Sequence, residues 1–255
     1  MDFFEHEGLR LAYRDDGDPA APVVMLLHGF ASSMTVNWVD PGWVATLTGA
    51  GYRTVGFDHR GHGLSDKPHD GAAYTPQKMA GDAAALMAHL GIPHAALFGY
   101  SMGARVSAYA ALATPALFPR LIFGGLGIGL VEGVGDWDPI AAALLAPSLD
   151  DVTDTKGRMF RAFADRTKSD RLALAACIRT SRTEPTAAEV ASIRQPTLIG
   201  VGTEDDIAGS AEELAALMPH ATAFAIPGRD HMLAVGDRRF KAEVLRFLTE
   251  TEALA

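Results

Sequence analysis

Ser101 is the residue of this sequence whose surroundings most clearly suggest chemistry. It stands between Gly99 and Gly103 in the stretch LFGYSMGARVS, after an apolar run and before an alanine-rich run that favours a helix. A serine on a sharp turn from strand to helix has its hydroxyl lifted above the sheet edge, where only small neighbours fit. The first backbone N–H groups of the following helix are unpaired, so the N–H of Met102 can stabilise an oxyanion. A glycine-rich turn without chemistry is the alternative, and the flanking patterns argue against it.

A serine hydroxyl needs a base to take its proton, normally a histidine that a carboxylate holds in position. Two later apolar runs end in such residues. The run TLIGVG is followed by Asp205 and Asp206, and the run TAFAI is followed by His231. The order along the chain is therefore serine, aspartate, histidine, and spacing alone does not choose between the two aspartates.

Short continuous apolar runs indicate the strands that must position these residues. Such runs are typical of strands buried on both faces of a parallel sheet. They are VVMLL (23–27), TVGF (54–57), AALFGY (95–100), LIFGG (121–125), TLIGV (197–201) and TAFAI (222–226). Two earlier runs, Phe3 to His6 and Leu9 to Tyr13, predict an N-terminal hairpin or meander that closes at Asp16-Gly17.

Helical patterns lie between the strands. Asp40-Pro41 and Thr75-Pro76 are typical N-cap and first-turn pairs, so each predicts the start of a helix. Glycines predict that the first of these helices ends at 49–51 and the second at Gly91. A last helix is predicted from about Val235 to Leu248. The alternation of strands and helices predicts an α/β fold, with a doubly wound, mostly parallel β-sheet and helices on both faces.

One long segment interrupts this alternation. Between Gly127 and Arg194 no strand pattern is evident, while DPIAAALLAP, GRMFRAFADR and RLALAACIRTSR have helical patterns. A strandless run of this length is too long for a single crossover connection. We therefore predict a core domain of residues 1–126 and 194–255 and a helical cap, or lid, of residues 127–193.

Composition narrows the classes of function. The chain has 255 residues, 48% of them hydrophobic, and its formal charge of −9 opposes nucleic-acid binding. Cys177 is the only cysteine, which predicts no disulfide within the chain and no cysteine-based metal cluster. The start MDFFEHEGLR lacks the basic residues of a signal peptide, and the longest apolar stretch, 121–131, is well short of the roughly 20 residues that a membrane span needs. We expect a cytoplasmic monomer or homodimer with no cofactor, no metal, and no membrane or nucleic-acid partner.

Five motifs, in order, resemble those of the α/β-hydrolase fold superfamily, in its branch of lidded esterases, lactonases and epoxide-hydrolase-like enzymes. They are LLHGF (26–30), GFDHRGHGLSDKP (56–68), GYSMG (99–103), the G-x-x-D of 202–205, and a histidine at 231 ahead of the final helix. The resemblance covers nearly the whole chain. It implies that Ser101 is the nucleophile, His231 the base and Asp205 the acid that orients the base.

The same resemblance implies a second oxyanion-hole donor, the backbone N–H of Phe30. It leaves two other acids open: Asp206, and Glu132, because some relatives place the acid after an earlier strand. It disfavours the chemistry of epoxide hydrolases and haloalkane dehalogenases, which use an aspartate where this chain has Ser101. His59 and His62, in the DHRGHG loop, are expected to be scaffold rather than metal ligands, since no third ligand accompanies them.

The chemistry expected is that of a carboxylesterase-like serine hydrolase, which cleaves small, mainly apolar carboxylic esters or lactones through an acyl-enzyme. An enol-lactonase, a carbon–carbon bond hydrolase and a cofactor-free perhydrolase or haloperoxidase would keep the same triad. A ligand receptor with a retained triad is an alternative of another class. Several apolar residues either line an acyl pocket under the cap or pack within the cap, and spacing does not decide: Trp38, Trp137, Met159, Phe160 and Phe163.

Overall fold

The computed structural model describes residues 1–252, and residues 253–255 of the predicted core domain lie outside the described residues. Eight strands form one sheet in the order β1-β2-β4-β3-β5-β6-β7-β8. They are β1 (Asp2–His6), β2 (Leu9–Asp16), β3 (Val23–Leu27), β4 (Arg53–Phe57), β5 (Ala96–Tyr100), β6 (Arg120–Gly124), β7 (Thr197–Gly202) and β8 (Ala221–Ile226). β2 pairs antiparallel with both β1 and β4, and the other neighbours pair in parallel. The predicted fold class is confirmed.

Each face of the sheet is covered by its own hydrophobic layer. Along β5, Leu97 belongs to the layer that contains α2 (Pro76–His89) and α3 (Met102–Ala113). Its neighbour Phe98 belongs to the layer that contains α1 (Trp43–Gly49) and α10 (Arg238–Glu252). Successive side chains of a strand point to opposite faces, so a continuous apolar run supplies both layers.

The start of α1 differs from the prediction. The helix begins at Trp43, two residues after the end of the Asp40-Pro41 pair. A π-helical turn over Thr35–Val39 precedes it, and Gly42 has a left-handed φ of 80° between the two elements. The chain therefore changes direction before α1, which no helix-start signal in the sequence indicates.

Two further boundaries are corrected by the structure. The N-terminal hairpin turns at Glu7 and Gly8, which both have a positive φ, so the predicted closing turn at Asp16-Gly17 was wrong. β2 instead continues to Asp16 and pairs with β4. The last helix begins at Arg238 rather than near Val235, because Asp237 accepts hydrogen bonds from N–H groups of its first turn.

Five helices lie between β6 and β7, and no strand occurs there among the described residues. They are α4 (Gly129–Glu132), α5 (Asp138–Leu145), α6 (Thr155–Arg166), α7 (Arg171–Thr180) and α8 (Ala187–Ala191). Arg161 of α6 donates hydrogen bonds to the carbonyl oxygens of Ala143 (2.9 Å) and Ala146 (2.6 Å) at the end of α5. A further helix, α9 (Ala211–Leu217), connects β7 to β8. The division into a core and a cap stays a prediction.

Helix length and hydropathy bear on membrane insertion. Within residues 1–252, no helix is both long enough and apolar enough to cross a bilayer.

Candidate active site

Ser101 occupies the turn between β5 and α3. Its φ is 54°, a left-handed conformation that costs a residue other than glycine of order 1–3 kcal/mol. Its N–H donates to the Gly124 carbonyl at 2.7 Å, which ties the turn to β6. A Cβ atom on Gly99 would lie 2.2 Å from the Gly103 carbonyl oxygen, and one on Gly103 would lie 2.0 Å from that of Leu27. Glycine is therefore required on both sides of the serine for β3, β5 and α3 to pack this closely.

The structure brings Ser101, His231 and Asp205 into one hydrogen-bonded chain. His231 Nε2 lies 3.0 Å from Ser101 Oγ, and His231 Nδ1 lies 2.8 Å from Asp205 Oδ2. The other carboxylate oxygen, Oδ1, accepts the N–H groups of Ile207 (2.9 Å) and Ala208 (3.0 Å). Burial raises the pKa of Asp205, but these hydrogen bonds outweigh burial and hold the pKa below its ordinary value. An ionised carboxylate only accepts, so Nδ1 carries a proton and Nε2 is left to accept the serine proton.

The two rival acids lie elsewhere. The Asp206 side chain is 78% exposed and approaches Lys156 at 3.9 Å. Glu132, at the end of α4, is exposed and makes no hydrogen bond to His231. Of the three candidate acids, only Asp205 contacts the histidine.

The loop that follows β3 passes beside the serine. A Cβ atom on Gly29 would lie 3.5 Å from the Cβ of Ser101, and the Gly29 N–H donates to Asn37 Oδ1 at 3.0 Å. The next backbone N–H, that of Phe30, donates no hydrogen bond within the described residues, and the same holds for Met102. Two backbone donors are thus left unpaired in segments that border the nucleophile.

Tyr100 and Asp230 hold the loop that carries His231, and sequence reasoning assigned neither of them this role. The Tyr100 hydroxyl donates to the His231 carbonyl oxygen at 2.6 Å. Burial raises the pKa of Tyr100 well above its ordinary value, so the hydroxyl remains a donor. Asp230 Oδ1 accepts the N–H groups of Met232 (3.0 Å) and Leu233 (2.8 Å). The contact of Tyr100 joins segments far apart in the chain, so no local pattern signals it.

His28, His59 and His62 form a buried cluster behind the loop after β3. His28 Nδ1 donates to the Gly29 carbonyl oxygen at 2.8 Å, and His28 Nε2 accepts the N–H of His59 at 3.0 Å. Among the residues that the structure describes, no three His, Cys, Asp or Glu side chains are placed to hold a metal ion. The hydrogen bonds of His28 instead connect the loops after β3 and β4.

A cavity of about 290 Å³ lies beside Ser101 and His231. Its walls are mainly apolar, which favours a ligand with an apolar part. Trp38 does not line it: the side chain is fully buried, with its ring 4.6 Å from that of Phe98. The other four residues for which the sequence left this question open do line it, namely Trp137, Met159, Phe160 and Phe163.

Comparison with known proteins agrees with this fold. A family model described as the alpha/beta hydrolase fold matches residues 22–151, which is half of the chain. The chain belongs to the α/β-hydrolase fold family.

Relatives of this α/β-hydrolase are found at moderate identity. Epoxide hydrolase A from Mycobacterium tuberculosis is 35% identical over 125 residues, 44% of this chain and 38% of the relative. A 2-(acetamidomethylene)succinate hydrolase from Mesorhizobium japonicum is 37% identical over 114 residues, 45% of this chain and 38% of the relative. The match thus spans well under half the length of either curated relative.

Solved structures resemble this α/β-hydrolase over nearly its full length. A hydrolase from Pseudomonas aeruginosa PA01 superposes with a TM-score of 0.76 and 26% identity, over 97% of both chains. The enol-lactonase from Burkholderia xenovorans LB400 superposes with a TM-score of 0.79 and 23% identity, over 97% of this chain and 100% of the other. The latter likeness establishes the fold alone.

Proposed function

We propose that this α/β-hydrolase is a serine hydrolase that cleaves small, mainly apolar carboxylic esters or lactones through an acyl-enzyme intermediate. One observation carries the proposal: His231 lies within hydrogen-bond distance of both Ser101 Oγ (3.0 Å) and Asp205 Oδ2 (2.8 Å). A nucleophile, a base in contact with it, and a carboxylate that orients the base are the parts that acyl transfer requires. The apolar cavity beside them supports an apolar acyl or alcohol group.

The reaction follows from this geometry. Ser101 Oγ attacks the substrate carbonyl carbon while its proton passes to His231 Nε2, and Asp205 stabilises the resulting imidazolium. The N–H groups of Phe30 and Met102 stabilise the negative oxygen of the tetrahedral intermediate. His231 then gives the proton to the leaving alkoxide, and the acyl group stays on the serine. In the second half, His231 takes a proton from water as the water oxygen attacks the acyl carbon. The tetrahedral intermediate then expels Ser101 Oγ, which recovers its proton from His231, and the acid is released.

The nucleophile argues against epoxide hydrolysis, although several relatives carry that name. An epoxide opened by a carboxylate gives an ester, which water can cleave through a tetrahedral intermediate. The same epoxide opened by Ser101 would give an alkyl ether, which has no carbonyl for water to attack. The enzyme would therefore be trapped after one turnover, whereas an acyl ester on the serine hydrolyses readily.

A panel of esters and lactones tests the proposal. We expect wild type to hydrolyse p-nitrophenyl acetate and butanoate, or simple γ- and δ-lactones, with multiple turnovers and no added cofactor. Ser101→Ala should lower kcat by a factor of about 10⁴ or more. The proposal fails if no member of the panel is turned over, or if Ser101→Ala hydrolyses it as fast as wild type.

A further inference from the structure

A second, smaller cavity borders Ser101. Its volume is about 30 Å³, so it admits only a small group. Its wall is mainly apolar, but its lining includes Arg105, Arg182 and Ser181 beside Ser101, and we call it the cationic pocket. Phe30, Ser101 and Trp137 also line the large cavity. A substrate bound at the serine can therefore extend one arm into each.

Two positive charges of this pocket have no carboxylate partner. Arg105 is 3% exposed and donates to the carbonyl oxygens of Leu130 (2.9 Å) and Gly129 (3.0 Å). Arg182 donates to the Gly135 carbonyl oxygen at 3.2 Å, and its guanidinium lies 4.4 Å from the Trp137 ring centre. Neither arginine has an acidic oxygen within 4.0 Å among the described residues.

Acidic groups act on these arginines from a greater distance. Glu184 favours the charged form of both, and Asp136 and Asp138 favour that of Arg182. Burial, followed by the charge of Arg105, lowers the pKa of Arg182 to about 10, so the side chain is still protonated at neutral pH. A buried charge is costly unless an opposite charge and hydrogen bonds compensate it. The buried Arg105 contacts only carbonyl oxygens, and the half-buried Arg182 contacts a carbonyl oxygen and an aromatic ring, so an anionic ligand would stabilise both charges.

A buried hydroxyl lies in the same pocket. Ser181 is 1% exposed, and its hydroxyl interacts with the Cys177 thiol. A thiol is a weak hydrogen-bond partner, so an oxygen of a ligand would satisfy the hydroxyl better. The hydroxyl favours a ligand that accepts hydrogen bonds, and the two arginines favour one that carries negative charge.

We infer that the cationic pocket binds a carboxylate on one arm of the substrate. Arg182 and Ser181 donate hydrogen bonds to the carboxylate, and Arg105 supplies a second positive charge behind them. Because Ser101 itself lines this small pocket, the arm between the reacting ester and the carboxylate is short. The inference deepens the proposed function and rests on it: the preferred substrates are anionic esters with an apolar group on the other arm.

Matched substrate pairs test the inference. Monoethyl succinate carries the carboxylate on the acyl arm, and ethyl 4-methylpentanoate replaces that carboxylate by an isopropyl group of the same shape. The anion of 3-acetoxypropanoic acid and 3-methylbutyl acetate form the corresponding pair for the alcohol arm. We expect wild type to favour the anionic member of at least one pair in kcat/KM by about 10-fold or more.

Substitutions of Arg182 then change this ratio. Arg182→Gln should lower the anionic-to-neutral ratio of kcat/KM by about 10- to 100-fold, since it removes a charge-assisted hydrogen bond. Arg182→Lys should restore part of the ratio, because the charge returns without the planar guanidinium. The matched control is Arg179→Gln, on the exposed side of the last turn of α7 and outside both cavities, which should leave the ratio unchanged. A ratio that is the same in Arg182→Gln and Arg179→Gln would overturn the inference.

A binding measurement separates this inference from the proposed function. Calorimetry with Ser101→Ala measures the binding of monoethyl succinate or 3-acetoxypropanoate in a variant that lacks the nucleophile. Binding that is lost in the Ser101→Ala/Arg182→Gln double variant supports the pocket even if wild type turns over no ester. If wild type turns over esters but substitution of Arg182 changes neither the ratio nor the binding, the proposed hydrolase function stands and the inference about the pocket is rejected. Absence of both turnover and Arg182-dependent binding rejects both proposals.

Discussion

At the scale of single residues, two adjacent aspartates have opposite surroundings. The Asp205 side chain is fully buried and accepts hydrogen bonds from His231 and two backbone N–H groups. The Asp206 side chain is 78% exposed and makes one loose ion pair. The sequence predicted an aspartate after β7, but the direction in which each loop side chain points depends on tertiary contacts. The choice between the two therefore needed the structure.

This difference predicts a large effect of the same substitution at Asp205 and almost none at Asp206. Asp205→Asn should lower kcat/KM on a p-nitrophenyl ester by about 10³- to 10⁴-fold, because an amide favours the wrong histidine tautomer and cannot stabilise the imidazolium. Asp206→Asn is the matched control and should stay within about threefold of wild type, since an exposed ion pair contributes little. Comparable losses in the two variants would show that Asp205 is not the orienting acid.

At the scale of elements, the loops after β3 and β4 pack three histidine rings together in the interior. The ring centre of His28 lies 4.6 Å from that of His59 and 5.2 Å from that of His62. Burial lowers the pKa of His28 to about 4 and of His62 to about 3, and burial also lowers the pKa of His59 well below its ordinary value. Neither ring nitrogen of His59 has a hydrogen-bond partner within the described residues. The three rings are therefore neutral in the folded protein at neutral pH.

The cluster predicts a loss of stability in mild acid. As the pH falls below about 6.5, histidines of the unfolded chain take up protons while the buried ones do not, so protonation favours unfolding. The free energy of unfolding should decrease towards pH 4 by up to about 1.4 kcal/mol per pH unit for each histidine.

His59→Phe removes one of these sites and should flatten the dependence of the free energy of unfolding on pH, measured by urea unfolding between about pH 7 and pH 4. His220→Gln, at an exposed position, is the control and should keep the slope of wild type. An unchanged slope in His59→Phe would contradict the neutral state assigned to the buried ring.

Sequence patterns predicted these elements unevenly. The strands from β3 to β8 were identified because buried parallel strands are continuous apolar runs, and α2 begins at its predicted cap, where Thr75 Oγ1 accepts the Lys78 N–H. The starts of α1 and α10 were misplaced because short irregular turns precede both. Such turns depend on contacts with distant segments, which a local pattern does not contain.

At the scale of the whole molecule, the parallel topology assembles the site. β5, β7 and β8 lie on one side of the sheet order, and Ser101, Asp205 and His231 follow their carboxyl ends. The order of motifs was therefore enough to predict that Ser101 and His231 meet, although not which of the candidate acids joins them. The substrate was not predictable, because Trp38 and Trp137 look alike in sequence, yet only the latter lines the cavity. Location in the cell and oligomeric state stay predictions.

Charge at this scale also bears on the ligand. The chain has a formal charge of −9, yet the cationic pocket places two arginines without ion-pair partners beside the nucleophile. The net negative charge of the protein therefore does not attract an anionic substrate, and recognition of such a substrate depends on the two positive charges of this pocket. Neither Arg105 nor Arg182 stood out in the sequence, because the pocket joins α3 to the segment after α7 only in the folded chain.

Labelling with a fluorophosphonate, followed by mass spectrometry of the peptides, tests the central claim most directly. The account predicts a single phosphonyl adduct on Ser101 of the folded wild type, no adduct on heat-denatured protein, and no adduct on Ser101→Ala. An adduct on another residue, or labelling of Ser101→Ala equal to that of wild type, would contradict the catalytic role of Ser101.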